Sequence, residues 1–392
     1  MKTVRVDVRV QSEAELKVVW NDDSAWLPYF ISRKVVEDCA REIRLVLAEL
    51  VEAGLNGRLS SCGPILKRLA EEGASLHRAL FTKTGGETDP ERVRLRYERL
   101  RQPFRVRFCV SDSVFVPWGL IYSGDAEDLP VEWPGDSATG WEVYKDFWCL
   151  SRAVSTVYDR IPPDAADDVE GASSSELIRV VHPDVFARAM SPLDDSAERS
   201  FLGWLTERHG EPLTTSRALR LRWRERSPQT RLLYFYCHAS PTRLALGEDE
   251  KIEASRLLLV LAGKSVRPAG QANCLVLLNG CSTAVGASAG DFLLSTSQDG
   301  LCGFVGTETE VPDIFALRFS TGLLYRLFRR GQSLGDAMQE MHRRHFPLSL
   351  VYGSYAHPDF AMPQTEVPEI ADWESTNFSF GSVGTNRLGD GR

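Results

Sequence analysis

The chain holds 392 residues, 43% hydrophobic and 26% charged, the proportions of a water-soluble globular protein with room for about two domains. Its 46 basic against 54 acidic side chains leave a net charge of -8, so no overall field attracts a phosphate backbone, and nucleic acid is disfavoured as the main partner. No stretch approaches the ~18 apolar residues of a membrane span. Met1-Lys2-Thr3-Val4-Arg5 runs at once into a charged alternating pattern that does not read as a signal peptide. A cytoplasmic location is expected, with the eight cysteines as reduced thiols. None stands in a Cys-x-x-Cys pair, so neither a metal nor another cofactor is expected.

Val4, Val6, Val8 and Val10 alternate with polar residues and predict a half-buried strand. Residues 32–53 place Val35, Val36, Cys39, Ile43, Val46, Leu47 and Leu50 at helical spacing, and Gly54 marks the end. A second amphipathic helix is expected over Ile65–Phe81. Thr82–Pro90 reads as a loop and Glu91–Arg101 as an exposed helix begun by Pro90. Phe104–Phe108 alternates as a strand and leads to Val116-Pro117-Trp118. Residues 124–140 and 162–175 are dense in loop formers, and the second segment is the expected boundary between two halves.

Beyond it, apolar strands at Leu177–Val181, Leu232–Cys237, Cys274–Leu278 and Leu301–Val305 alternate with helical stretches at Ala197–Arg208, Ala254–Ala262 and Asp313–Arg329. That alternation predicts an α/β fold with a mostly parallel sheet and helices on both faces. A helix over Leu334–His345 and a strand-like Leu348–Tyr352 follow. The expected organisation is a helix-rich N-terminal half (1–165), an α/β module (166–365) and a polar, flexible tail (366–392).

In open parallel sheets, ligands gather at the carboxyl ends of strands. Two of the apolar strands end in reactive side chains: Leu232–Cys237 delivers His238, and Cys274–Asn279 with Gly280 delivers Cys281. Small residues follow both and leave backbone N–H groups near any bound carbonyl. If these strands are neighbours, imidazole and thiol share one crevice, the arrangement in which a histidine activates a cysteine nucleophile. Other motifs read more simply. Gly286-Ala287-Ser288-Ala289-Gly290 matches a nucleophile elbow but lacks the strand that must precede it. His342 and His345 belong to a basic helix end, where cations meet the helix dipole. Arg217–Arg226 reads as a solvated basic face.

The blocks Tyr236-Cys237-His238-Ala239, Leu244-Ala245-Leu246-Gly247 and Val276-Leu277-Leu278-Asn279-Gly280-Cys281-Ser282-Thr283-Ala284 resemble the CHAT family of caspase-like cysteine peptidases. The similarity extends through Gly303–Thr307, Val311-Pro312-Asp313, Gly331–Leu334 and Leu350–Gly353. Upstream, Val116-Pro117-Trp118-Gly119-Leu120 looks like the Pro-Trp-Glu-Leu segment of that family's non-catalytic half, with Gly119 in place of Glu. The resemblance covers about residues 104–360. It implies the fold shared by caspases, separases and gingipains, with an inactive caspase-like companion in the N-terminal half. It further implies His238 as general base, Cys281 as nucleophile, and an oxyanion hole from the N–H groups of Cys281 and Ala239. Ala239 stands where that family usually has Gly.

In that clan the specificity pocket forms from the loop after the next strand. Here this loop is Gly306–Asp313, with three carboxylates and no cation. Glu308, with Asp313, is the expected partner of an arginine before the cut bond. The resemblance also implies a protein substrate, an upstream sensor or activator, and a role in prokaryotic defence or programmed cell death. A neighbouring-gene effector such as a bacterial gasdermin is the implied class of substrate. The alternative is a catalytically silent scaffold of the same fold.

Overall fold

Val4, Val6 and Val8 fill one face of β1 (Thr3–Val10) and are fully buried, as their alternation requires. The computed structural model describes residues 3–21, 28–56, 61–81, 100, 104–111, 113–132, 137–158, 176–193, 197–226, 229–240, 242–253, 257, 274–284 and 301–367. β2 (Glu15–Asn21) and β3 (Tyr29–Ser32) follow β1 as an antiparallel meander. The Ser32 side chain then caps α1 (Arg33–Leu55) by accepting the Val35 N–H, and α2 (Cys62–Phe81) packs along α1. β4 (Arg105–Val110), two short helices α3 (Ser137–Val143) and α4 (Trp148–Ser151), and β5 (Val154–Tyr158) complete this half.

Its strands form one five-stranded sheet in the order β3-β2-β1-β4-β5, with β1, β4 and β5 parallel. Helical residues outnumber strand residues among the described residues of this half, and the helices accompany a five-stranded sheet that the sequence pattern revealed only in part. β2 carries the same period-two pattern as β1, burying Leu16, Val18 and Trp20. β3 and β5 are too short for periodicity to reveal. Phe108 stacks on Trp118 at 4.4 Å, and Arg152 lies over the Phe104 and Trp148 rings while donating twice to the Leu100 carbonyl. An added Cβ at Gly119 would sit 3.1 Å from the Cys149 Cβ, so this glycine is a tight packing point.

The second half begins with β6 (Glu176–Val181), α5 (Pro183–Met190), α6 (Ala197–His209) and α7 (Ser216–Arg226). β7 (Thr230–Tyr236) leads into a small antiparallel sheet of β8 (His238–Ser240), β9 (Arg243–Ala245) and β10 (Lys251–Glu253). β11 (Cys274–Asn279), β12 (Leu301–Thr307), α8 (Asp313–Arg330), α9 (Leu334–Arg344) and β13 (Tyr352–Ala356) follow. The main sheet runs β13-β12-β11-β7-β6, parallel except for β13. β7, β11 and β12 are buried along their whole length, as near-continuous apolar runs predict for a covered parallel sheet. The fold is thus α/β with parallel-containing sheets.

Two local expectations change and a third holds. Leu348–Val351 is a 3-10 turn rather than a strand, because Ser349 bonds back to His345 and, through its hydroxyl, to the His342 carbonyl. His342 and His345 are buried among Phe315 and Phe319, and burial pushes them down to about 4 and about 3, so they pack as neutral rings and not as cations at a helix end. Arg217–Arg226 belongs to helix α7, which turns Leu219 and Trp223 inward and its arginines mostly outward. The loop at 82–90, the helix expected at 91–101 apart from Leu100, the helix expected at 254–262 apart from Leu257, and the boundary segment 162–175 lie outside the described residues. So does most of the tail, although Thr365 and Val367 bond to the end of α8. No described helix is long and apolar enough to cross a membrane.

The edge strands β5 and β13 bring the two sheets side by side, with no backbone ladder joining them among the described residues. Side chains make the joint. Tyr158 stacks near Tyr355, Arg105 reaches Asp336 and Asp359, Arg107 reaches Asp359, and Arg343 donates to the Leu150 carbonyl at 2.7 Å.

Burial also pushes His77, His209 and His238 down to about 4. An unfolded histidine titrates near 6.5, so as pH falls the unfolded chain takes up these protons first. Their contribution to stability is whole above pH 6.5 and is lost on the way down to pH 4. Asp313, pushed up to about 6 by burial, opposes this, as do the raised Glu72 and Glu308, but with His182, also lowered by burial, the six histidines outnumber them. Urea midpoints should therefore fall steadily between pH 6.5 and 4.5, and a flat profile would contradict the buried, neutral placement.

Candidate active site

Parallel pairing sets Val181, Tyr236 and Asn279 abreast at the carboxyl ends of β6, β7 and β11. The chain then delivers His182 one residue on, and His238 and Cys281 two residues on from their strands. The two residues singled out from sequence, His238 and Cys281, thus leave adjacent strands at the same level. His182 joins them and was missed. The rule that selected the other two, a reactive residue just past an apolar strand, applies to it equally.

Each element holds its residue for a local reason. His238 opens β8 and pairs with Ala245, so the Leu244–Gly247 block is what returns to brace the histidine. An added Cβ at Gly280 would come within 2.6 Å of the Ala239 Cβ and 2.8 Å of the Cys237 carbonyl oxygen, so only glycine lets the two loops close on each other here. Asn279 is fully buried. It donates to the Ala316 carbonyl at 2.8 Å and to Ser320 at 3.0 Å, and accepts from the Tyr352 hydroxyl at 2.6 Å, tying β11 to α8 and β13. Past the cysteine, the Ser282 N–H bonds to the Thr309 carbonyl and the Ala284 N–H to the Thr307 carbonyl, while Thr283 and Thr307 bond each other. Ser282 has φ 53°, a left-handed conformation that a non-glycine residue adopts at a cost. The cysteine turn is therefore clamped to the end of β12.

The Cys281 thiol is 4% exposed. Burial, then the carboxylates of Glu310 and Asp313, push it up to about 12, and only the backbone N–H of Val311 favours the thiolate. His238 is half-buried, and burial, then His182 and Arg188, hold it down at about 4, so it is a neutral base at pH 7. No hydrogen bond joins the two among the described residues, and His238 Nδ1 has no partner there. The Cys281 N–H, expected in the oxyanion hole, bonds to no carbonyl among the described residues, and Ala239 lies directly across from Gly280. A neutral imidazole and a buried, protonated thiol thus follow adjacent strands at one level.

The acidic loop divides. Glu308 was expected at the floor of a specificity pocket. It is enclosed in the joint between halves, ion-paired with Arg44 of α1 at 2.9 Å and hydrogen-bonded by the Tyr355 hydroxyl. Both carboxylate oxygens are engaged, which leaves none for a substrate cation in this arrangement. Burial raises its pKa and Arg44 pulls it back. Asp313 caps no helix with its side chain. It pairs with Arg188 at 3.3 Å, its Oδ1 lacks a partner among the described residues, and its carbonyl accepts the Tyr236 hydroxyl. Glu310 is exposed. Ser288 lies outside the described residues. Every cysteine is a buried free thiol, and the described residues contain no cluster suited to a metal.

Among solved structures the chain is similar to Saccharomyces cerevisiae separase in its complex with securin, at 13% identity and a TM-score of 0.40. The match covers 85% of this chain and 23% of that one, so the chain spans less than a quarter of that separase. No family model and no curated protein matches the sequence.

Glu308 supplies a test of the joint. Arg44→Ala strands a buried carboxylate and should cost about 3–5 kcal/mol by denaturant unfolding. Arg44→Ala combined with Glu308→Gln should recover part of that loss, because the charge left unpaired is removed. A double variant no more stable than Arg44→Ala would mean that the ion pair is not what Arg44 provides.

Proposed function

We propose that the chain is a caspase-like cysteine endopeptidase that cuts a specific protein partner and rests in a latent state. The observation that carries the reading is the common level at which neighbouring parallel strands deliver a neutral His238 and Cys281. In the working state the thiol turns out of its pocket and His238 takes its proton. The thiolate attacks the scissile carbonyl carbon, and the N–H groups of Cys281 and Ala239 receive the developing oxyanion. His238 returns the proton to the leaving amine, and water, deprotonated by the same imidazole, releases the acyl group. No metal or organic cofactor has a step in this scheme.

Latency follows from the thiol. With its pKa near 12 almost no thiolate exists at neutral pH, so activation requires the clamped turn at 281–284 to move. That turn bonds to residues 307–309, and Glu308 bonds to α1, so the N-terminal half is placed to transmit an activator's signal. Asp313, close enough to Cys281 to raise its pKa, is the carboxylate we assign to a basic side chain before the cut bond, with Glu308 serving the joint. The resemblance in the His and Cys blocks adds a cytoplasmic effector role in prokaryotic defence or programmed cell death. A neighbouring-gene protein such as a gasdermin is the substrate class. The buried, unactivated thiol favours one alternative, a silent scaffold of the same fold.

Incubating the full chain with proteins encoded beside it, and mapping new termini by mass spectrometry, separates the two. Cleavage should drop by at least ~1,000-fold in Cys281→Ala and in His238→Ala, with the fold intact by circular dichroism. Ser288→Ala should cut normally. Cleavage unaffected by Cys281→Ala would refute the cysteine mechanism, and no cleavage with any partner would leave the scaffold. Cuts after acidic or large apolar residues would remove the role given to Asp313.

A further inference from the structure

His182 is the third reactive residue at the strand ends, and nothing in the mechanism above uses it. Its N–H bonds to the Tyr236 carbonyl at 2.8 Å, so the β6–β7 ladder runs one residue past Val181 and fixes its backbone beside the strand that delivers His238. It occupies the cap position of α5, yet its side chain caps nothing. The ring is 6% exposed, and its Nδ1 has no partner among the described residues. What the ring does meet is the His238 imidazole, edge to face, with centroids 5.4 Å apart and planes at 75°. That is the geometry in which one ring's positive edge meets the other's negative face.

The backbone of His238 is held by its pairing with Ala245, but a ladder does not set the rotation of a side chain. Among the described residues His182 is the one ring against it, and His238 Nδ1 has no hydrogen bond to orient it. In other hydrolases a carboxylate or amide bonded to this nitrogen performs that service. We propose that His182 is the positioning residue of this site: its buried ring sets the orientation of the His238 imidazole through an edge-to-face contact. The inference rests on the peptidase reading for its catalytic consequence and on geometry alone for the contact.

The charged surroundings of the pair are few. Arg188 of α5 faces both rings, and Asp184 and Glu248 face His182. A protonated His182 would repel a protonated His238, so losing the ring removes a repulsion together with a contact.

The test uses the full chain with its histidines labelled at Cε1, seven in all, assigned by substitution. In His182→Ala the His238 resonance should shift as the ring current is lost, and its titration midpoint should move up. His182→Phe keeps a ring in place and should retain most of the shift. On a cleaved partner, His182→Ala should lower kcat by about 10- to 100-fold with KM unchanged. His182→Phe should restore kcat to within about threefold, since the edge-to-face geometry survives. An unchanged His238 resonance in His182→Ala, or a phenylalanine variant no better than alanine, overturns the inference. Cleavage by wild type that His182→Ala leaves untouched also overturns it while sparing the peptidase reading. A responsive resonance in a wild-type chain that cuts nothing overturns the peptidase reading and, with it, the catalytic role given to His182.

Discussion

The parallel register of β6, β7 and β11 is the constraint from which the site follows. Parallel strands in register end at one level, and their connections must leave the sheet there. Residues far apart in the chain are brought together because Val181, Tyr236 and Asn279 are neighbours in the ladder. A register slip of one residue would exchange the two faces of a strand and separate the imidazole from the thiol. Asn279 guards against this. Its amide is satisfied by Ala316, Ser320 and Tyr352, partners from two other elements, and no shifted register would keep all three.

A second constraint is electrostatic and joins the halves. Glu308 sits at the end of β12, next to the residues that clamp the cysteine turn, and its charge is tolerated in the interior because Arg44 and Tyr355 meet both its oxygens. The pair belongs to different halves of the chain, so the position of α1 and the position of the acidic loop are not independent. Ser282 in its left-handed conformation lies one bonded step from that loop, through Thr309. Its unfavourable conformation persists because these neighbours hold it.

Burial explains the resting chemistry of both candidate catalytic groups with one term. Removing water disfavours whichever form is charged, so it keeps His238 neutral and Cys281 protonated at the same time. The first effect leaves a neutral imidazole and the second a protonated thiol.

Much of this was legible in the sequence. Nearly continuous apolar runs such as Leu232–Tyr236 and Cys274–Leu278 are long enough to state that they are covered strands, and the His and Cys just beyond them prove to follow adjacent strands. The alternation at Val4–Val10 and the helical spacing at Val36–Leu50 required no partner to be read. What the sequence could not determine is whatever depends on a second segment. The sheet of the N-terminal half rests partly on β3 and β5, strands too short to announce themselves. Glu308 looked like a free acid in a loop, because the arginine that claims it lies in α1, distant in sequence. His182 follows an apolar strand as His238 does, but that its ring meets His238 is decided only after two strands have paired. Local pattern reports how a segment buries its own side chains, and it carries no record of which distant side chain will neutralise a charge or lie against a ring. Those assignments belong to the tertiary structure.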